Sequence, residues 1–218
     1  MGAWNVLSRR EDDHLSLLSS ELKRLKIGIA ALSDVRRTDS GKIMAAGYTY
    51  YWSGRSDGYH AQGVAVVVSN KLTPMISEII LVNERIMRLR IRHSLGVISL
   101  VSVYAPTEAS DLTVKDAFSA TLESVVDQCP RQDTLLVLGD LNASTGTDRD
   151  GYETCVGPMG LELCTRIALS SLTLQEVMDL RWLVHGFSML RLITGPRFPM
   201  LVMLQRRLPM CSLMVTGG

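Results

Sequence analysis

The sequence predicts a layered α/β sandwich rather than a doubly wound parallel sheet. Short apolar runs typical of strands alternate with helical patterns up to about residue 160, and the strands outnumber the helices. Three of these runs follow one another, at residues 79–82, 87–91 and 97–104, and a short turn at residues 93–96 joins the last two. Because so short a connection closes only an antiparallel pair, at least part of the sheet structure is antiparallel.

Two helices are predicted from the spacing of apolar residues. Near the start of the chain, Asp12 and Asp13 precede a pattern that places leucines on one helical face, and basic residues lie near its end. Acids first and bases last is the order that the helix dipole favours. Residues 114–126 alternate apolar and polar side chains at helical spacing and stop before Pro130, which favours a second helix.

The remaining strands are predicted from short β-prone runs, at residues 27–31, 48–52, 64–68 and 135–138. The run at residues 64–68 is rich in valine and has no polar face, which is typical of a central strand. Residues 53–58 form a polar, glycine-bearing loop.

Composition limits the classes of function. A chain of 218 residues with 46% hydrophobic residues can bury a core, and a formal net charge of +1 does not hold nucleic acid by bulk charge alone. Any DNA contact would depend on a local basic patch, for which Arg36, Arg37, Lys42 and Arg55 are candidates. The alternative is that these four are scattered surface cations.

Cysteine usage and the amino terminus bear on location. The four cysteines, at positions 129, 155, 164 and 211, lack close metal-ligand spacing, so reduced thiols are expected. Residues 1–10 lack the apolar core of a signal peptide, and no stretch is long and apolar enough for a confident membrane span. The expected location is therefore nuclear or cytoplasmic, without a membrane partner.

Polar groups follow two of the predicted strands. Tyr104 ends one of them, and Asp140 and Asn142 follow the strand at residues 135–138. Because Asp140 and Asn142 are two residues apart, an extended backbone would direct both side chains to the same face. A carboxylate and a carboxamide beside a tyrosine can align a water, hold a divalent cation and steady a phosphate. The pattern indicates phosphodiester chemistry.

Five segments occur in the order found in the endonuclease/exonuclease/phosphatase superfamily, which this sequence resembles. They are Trp4-Asn5-Val6, Ala31-Leu32-Ser33-Asp34-Val35-Arg36-Arg37, Gly63-Val64-Ala65, Val103-Tyr104-Ala105-Pro106 and Gly139-Asp140-Leu141-Asn142. The sequence of these segments is most similar to the apurinic-type endonuclease domain of non-LTR (LINE-type) retrotransposons. The resemblance runs from about Ala3 to Gly160.

The resemblance implies a four-layered α/β sandwich and Mg²⁺-dependent nicking of DNA, with Mn²⁺ as an alternative ion. Asp140 would orient or deprotonate the attacking water, Asn142 would fix the phosphate or metal, and Tyr104 would contact the scissile phosphate. Asn5 would help to hold the metal, and Asp34 stands where the family has its metal-binding glutamate.

Structural roles for the same residues stay open at the level of sequence. Asp140 and Asn142 could be turn formers after a strand, and Tyr104 could be a packed aromatic. Asp34 could form a surface ion pair with Arg36 or Arg37. Asn5 could hydrogen-bond a neighbouring loop.

The chain divides into an endonuclease-like part, residues 1–160, and a divergent tail, residues 161–218. Every lysine precedes Gly160, whereas six methionines follow it, and a helix near residues 169–180 is the one element suggested there. Shifting the reading frame by one base in two windows of the tail can give family-like segments. We therefore hypothesise a frameshift near Gly160, which the coding DNA would test, and expect a sandwich incomplete at its carboxyl end.

This tail bears on the expected activity. The family's final Ser/Thr-Asp-His motif, which supplies a catalytic aspartate–histidine pair, has no match after Gly160, where His185 is the only histidine. Little or no turnover is therefore expected from a chain descended from a DNA endonuclease. The alternatives are a catalytically dead DNA-binding module, the non-functional product of a decayed element, and a sandwich phosphatase acting on a small phosphoester.

Overall fold

The computed structural model describes residues 1–6 and 13–142 of the 218-residue chain. Within them, two β-sheets pack face to face and one helix covers the outer side of each sheet. The architecture is therefore the layered α/β sandwich that the sequence pattern predicts, with the four layers that the family resemblance implies. The predicted tail, including its helix near residues 169–180, lies outside the described residues.

Sheet I has five strands in the order β1-β2-β5-β4-β3, and sheet II has four in the order β6-β7-β8-β9. The strands of sheet I are β1 (Gly2–Asn5), β2 (Ile29–Ser33), β3 (Ser40–Ala45), β4 (Tyr48–Ser53) and β5 (Val64–Ser69). Sheet II consists of β6 (Ile76–Asn83), β7 (Ile86–His93), β8 (Gly96–Tyr104) and β9 (Thr134–Asp140). The helices are α1 (Asp13–Arg24) and α2 (Leu112–Asp127), and a 3-10 turn lies at Thr73–Met75.

The core between the sheets is built by alternating side chains. In β5, Val64, Val66 and Val68 face sheet II, whereas Ala65 and Val67 face α1. Strand β8 alternates in the same way, with its even-numbered residues toward sheet I and its odd-numbered residues toward α2. Because the side-chain period of a strand is two, one strand supplies two cores at once, which explains the continuous apolar runs in the sequence.

Two parallel strand pairs determine where polar groups meet. In sheet I, β1 pairs with β2 in parallel, and the register places Asn5 beside Ser33. In sheet II, β8 pairs with β9 in parallel, and Tyr104 lies beside Asp140. A helix follows the first strand of each pair in the chain, α1 in sheet I and α2 in sheet II. The carboxyl ends of all four strands meet at one edge of the sandwich, the usual place for a functional site in a parallel pair.

The amino-terminal end of β9 is held by a buried ion pair. Asp133 accepts from Arg90 Nε at 2.7 Å and Nη2 at 3.1 Å, and from Ser99 Oγ at 2.7 Å. Burial alone would raise the pKa of the Asp133 carboxyl, but these donors outweigh it and the net pKa is lowered. This anchor fixes β9 at the end opposite to Asp140.

The structure also contains strands that the sequence analysis did not predict. Strand β3 carries Ser40, Gly41 and Lys42 and lies at the edge of sheet I, so only alternate residues are partly buried and the apolar signal is weak. Strand β1 has only four residues. None of the described helices is long and apolar enough to cross a membrane.

Candidate active site

The two sheets are joined at this edge by a hydrogen bond between Asn5 and Asp140. Asn5 ends β1 on the face shared with Ala3, and Asp140 ends β9 on the face shared with Leu138, so alternation directs both toward the space between the sheets. The Asn5 side-chain amide donates to Asp140 Oδ2 at 2.8 Å. Asp140 is only 8% exposed, so this neutral donor stabilises a nearly buried carboxylate.

Asn142 lies beside Asp140, although not on an extended strand as the spacing predicts. Strand β9 ends at Asp140, and Asn142 has a φ of 46°, in the left-handed region that asparagine tolerates well. Its backbone N–H donates to Asp140 Oδ1 at 2.9 Å, and its side-chain amide donates to the Ala105 carbonyl at 2.7 Å. The turn therefore orients Asp140 and ties β9 to the end of β8.

Tyr104 is the tyrosine at the carboxyl end of β8. Burial raises the pKa of its phenol above 10.0, and the negative charges of Asp34 and Asp140 raise it further, whereas Arg85 and Arg36 act in the opposite direction. The phenol therefore stays protonated at neutral pH and is a hydrogen-bond donor beside two carboxylates.

Asp34 follows β2 and carries the second nearly buried carboxylate of the site. Its residue exposure is 4%, and its φ of 57° directs the chain sharply out of the strand. Arg36 holds the carboxylate with a two-pronged contact, with Nε at 3.1 Å from Oδ1 and Nη2 at 2.8 Å from Oδ2. The predicted pair with Arg36 therefore exists, but its acid is buried rather than on the surface.

Arg85 is a site residue that sequence reasoning missed. It lies in the turn between β6 and β7, where Asn83 Oδ1 accepts the backbone N–H groups of Arg85 and Ile86 at 2.8 Å. The Arg85 guanidinium lies 5.6 Å from the centre of the Tyr104 ring, and Nη1 donates to the Tyr104 carbonyl at 3.1 Å. Only the hairpin register brings this turn to the site, and that register was not available from residue spacing.

Arg37 and Arg55 contact other side chains, and Lys42 lies elsewhere on the surface. The Arg37 guanidinium lies 4.9 Å from the centre of the Trp52 ring, and Arg55 pairs with Asp57 and lies 5.8 Å from the Tyr59 ring. Lys42 lines a shallow groove between the edges of the two sheets. Of the four predicted basic residues, Arg36 contacts a site carboxylate, that of Asp34.

The donor atoms at this edge fit a hard divalent cation. Carboxylate and amide oxygens are the ligands that Mg²⁺ prefers, and because Mg²⁺ keeps several waters, one or two carboxylates suffice. Asp34 and Asp140 supply the carboxylates, and Asn5 supplies an amide. No cluster of three His, Cys, Asp or Glu side chains suited to a metal occurs within residues 1–6 and 13–142. A cation here would be held by few protein ligands and by water.

Comparison with known proteins identifies the family of the chain. The sequence profile of the Endonuclease/Exonuclease/phosphatase family matches residues 2–160. Craniofacial development protein 2 of Bos taurus is 26% identical over 147 residues, which cover 67% of this chain and 24% of that protein. The chain therefore spans about a quarter of the length of this curated relative.

Solved structures share the fold at low sequence identity. A 3′ phosphatase from Neisseria, NExo, solved with a product DNA hairpin, superposes with a TM-score of 0.57 at 19% identity, covering 82% of this chain and 72% of that one. The endonuclease domain of TRAS1, a telomere-specific non-LTR retrotransposon, superposes with a TM-score of 0.53 at 15% identity, covering 80% and 70%. The profile match over most of the chain, together with this fold, shows that the protein belongs to the endonuclease/exonuclease/phosphatase family.

Proposed function

We propose that this chain is a divalent-metal-dependent nuclease that hydrolyses phosphodiester bonds in DNA with slow turnover. The observation that carries the proposal is the hydrogen bond between Asn5 and Asp140, because it brings an oriented carboxylate from sheet II against an amide from sheet I. Tyr104 and Asp34 lie in the same region, since the negative charge of Asp34 raises the pKa of the Tyr104 phenol. Such a set matches the chemical needs of hydrolysis at a phosphate.

In this proposal each residue has a defined part. Asp140 accepts two hydrogen bonds, one on each oxygen, and each oxygen keeps a lone pair that can accept a proton from the attacking water. Tyr104 donates from its phenol to a phosphate oxygen. Asn142 fixes the phosphate or metal, and Asn5 and Asp34 hold the metal. Mg²⁺, or Mn²⁺, would supply positive charge that stabilises the phosphate as negative charge develops on it.

The substrate class is inferred from charge and from likeness. The positive charges of Arg36 and Arg85 both act to lower the pKa of the Tyr104 phenol, so two cations lie near the proposed phosphate position. The neisserial structure was solved with product DNA, and the TRAS1 domain belongs to a retrotransposon. We therefore propose DNA as the substrate and a non-LTR retrotransposon as the origin, with residues 1–160 as the catalytic domain and residues 161–218 as a divergent tail.

Slow turnover follows from the missing acid–base partner. No Asp-His segment of the family type occurs in residues 161–218. A positioned acid or base commonly contributes about 10²–10⁴-fold to a rate, so a loss of that size is expected relative to family enzymes that have the pair.

Nicking of supercoiled plasmid tests the proposal, because one cut per plasmid is visible and slow turnover can be followed for hours. The purified full chain is incubated with Mg²⁺ or Mn²⁺, with EDTA, and as the Asp140→Ala variant. We expect slow nicking that needs the metal and disappears with Asp140→Ala. Glu21→Gln, which removes an exposed carboxylate on α1, is the matched control and should nick like the original chain.

Two results would contradict the proposal. Nicking that survives EDTA or Asp140→Ala would come from a contaminant or another site. No nicking from a sample that unfolds cooperatively would leave a DNA-binding module without catalysis, and salt-sensitive DNA binding reduced by removal of Arg36 and Arg37 would identify it.

A further inference from the structure

The contact between Arg36 and Asp34 occupies the carboxylate that a metal would need. Nε lies 3.1 and 3.2 Å from the two carboxylate oxygens, and Nη2 lies 2.8 Å from Oδ2. A guanidinium fork of this kind satisfies both oxygens with one side chain and is among the stronger charge-assisted contacts in proteins. A hard cation and Arg36 cannot both take the same lone pairs of Asp34.

The two partners differ in their freedom to move. The Asp34 side chain is 6% exposed, whereas the Arg36 side chain is 40% exposed. Asp34 is therefore fixed in the protein, and Arg36 can exchange its carboxylate for water at moderate cost. The arginine is therefore the partner that a cation can displace.

The backbone of this segment holds Arg36 in place to reach Asp34. Arg36 has a φ of 51°, which a residue with a side chain seldom adopts, and its N–H donates to the Gln62 carbonyl at 2.7 Å. The Val35 N–H donates to the Gly63 carbonyl at 3.2 Å, so the loop before β5 supports the turn. The backbone hydrogen bonds therefore fix the turn that brings the Arg36 side chain back onto Asp34, two residues earlier in the chain.

We propose that Arg36 competes with the divalent cation for Asp34 and so sets the cation concentration at which the site fills. This inference rests on the proposed function, since it takes Asp34 as a metal ligand. Arg36 acts through Asp34 and is a positioning residue. Replacing it with a neutral side chain frees the carboxylate and removes a positive charge beside the cation, and both effects favour metal binding.

Binding of Mn²⁺ to the full chain tests this without any activity. The electron paramagnetic resonance signal of free Mn²⁺ falls as the ion binds, so a titration gives the affinity directly. We expect Arg36→Gln to bind Mn²⁺ about tenfold more tightly than the original chain, because one competing charge is gone. Arg36→Lys keeps the charge but lacks the two-nitrogen guanidinium contact, so its Mn²⁺ affinity should lie between those of the original chain and Arg36→Gln. If Arg36→Gln does not unfold cooperatively, Arg36→Lys becomes the deciding variant.

Arg24→Gln is the matched control. Two guanidinium nitrogens of Arg24 also donate to a carboxylate, that of Glu21, but this pair lies on the exposed surface of α1. It should leave Mn²⁺ affinity unchanged, which separates a local effect from a change in net charge.

The outcomes separate this inference from the proposed function. Tighter Mn²⁺ binding in Arg36→Gln that is abolished by adding Asp34→Asn supports both the competition by Arg36 and the proposed metal site. Unchanged affinity in Arg36→Gln, with binding lost in Asp34→Asn alone, overturns the competition and leaves the metal site standing. If neither the original chain nor Arg36→Gln binds Mn²⁺, both ideas fall.

Discussion

Three site residues, Asp34, Arg36 and Asn142, have φ angles of 57°, 51° and 46°, in a region that few residues with side chains adopt. Conformations of this kind cost about 1–3 kcal/mol each and persist only where neighbouring structure fixes them. Hydrogen bonds fix two of them, since the Arg36 N–H donates to the Gln62 carbonyl and the Asn142 N–H donates to Asp140 Oδ1. Strained backbone therefore lies beside each of the two buried carboxylates.

Tyr104→Phe is predicted to slow nicking without unfolding the chain. The phenol is the donor proposed for the phosphate, and its ring packing is kept by phenylalanine. Because burial and then the charges of Asp34 and Asp140 raise the pKa of the phenol above 10.0, the group stays protonated below that pH and its contribution is lost only as the pH rises beyond it. We expect about a tenfold loss of rate at pH 7–9, as for one charge-assisted hydrogen bond.

Two measurements check this prediction. Nicking rates of the two proteins give the loss, and the difference between their absorbance titrations at alkaline pH gives the pKa of Tyr104. Equal rates, or a tyrosine that titrates below its ordinary range, would contradict the assignment.

The sequence analysis named Tyr104, Asp140 and Asn142 as candidates because they follow predicted strands, and it named Asn5 and Asp34 from the family resemblance. It did not find Arg85, since the turn after Asn83 becomes part of the site only through the pairing of β7 with β6 and with β8. It also gave no means to choose between Arg36 and Arg37 as the partner of Asp34. That choice depends on the left-handed turn at residue 36, which brings one guanidinium back onto Asp34.

At the scale of the element, Gly139 of β9 lies directly beside Val103 of β8. A Cβ at this position would lie 2.0 Å from the Val103 carbonyl oxygen, and φ is 145°, so both space and conformation require glycine. Because Gly139 immediately precedes Asp140, this approach helps to hold the proposed catalytic carboxylate against Tyr104.

Gly139→Ala is predicted to destabilise the chain by at least about 3 kcal/mol, the sum of backbone strain and overpacking. Gly96→Ala is a matched control, because φ there is 142° but nothing lies within 4 Å of the added Cβ. It should cost about 1–2 kcal/mol from strain alone. Urea unfolding measures both, and equal losses would show that the clash with Val103 is relieved by a small shift of β9.

Element prediction succeeded where burial imposes a pattern and failed where it does not. Strand β5 is buried on both faces and its valines predict it directly. Strand β3 is recognisable only as the partner of β4, where Gly41 leaves room for the Trp52 ring that crosses it. An edge strand of this kind is specified by its neighbour more than by its own side chains.

For the molecule as a whole, the central question is whether the two sheets unfold together. They share a core of aliphatic residues, the Asn5–Asp140 hydrogen bond joins them at one edge, and Ser102 Oγ donates to the Ala65 carbonyl across the interface at 3.4 Å. Neither sheet can keep its inner face dry without the other. This mutual dependence favours a single cooperative transition.

Leu100→Ala tests that cooperativity from sheet II while sheet I is observed. Leu100 is fully buried in the shared core, and its truncation should cost about 3 kcal/mol. Trp4 and Trp52 lie on β1 and β4, so in a Trp182→Phe background tryptophan fluorescence reports on sheet I alone. We expect the unfolding midpoints from fluorescence and from far-UV circular dichroism to shift to lower urea by the same amount.

Leu95→Ala, at a position 79% exposed, is the control and should leave both midpoints unchanged. A fluorescence midpoint that stays in place while the dichroism midpoint moves would mean that each sheet is stable alone, and that the site at their junction opens without unfolding either one.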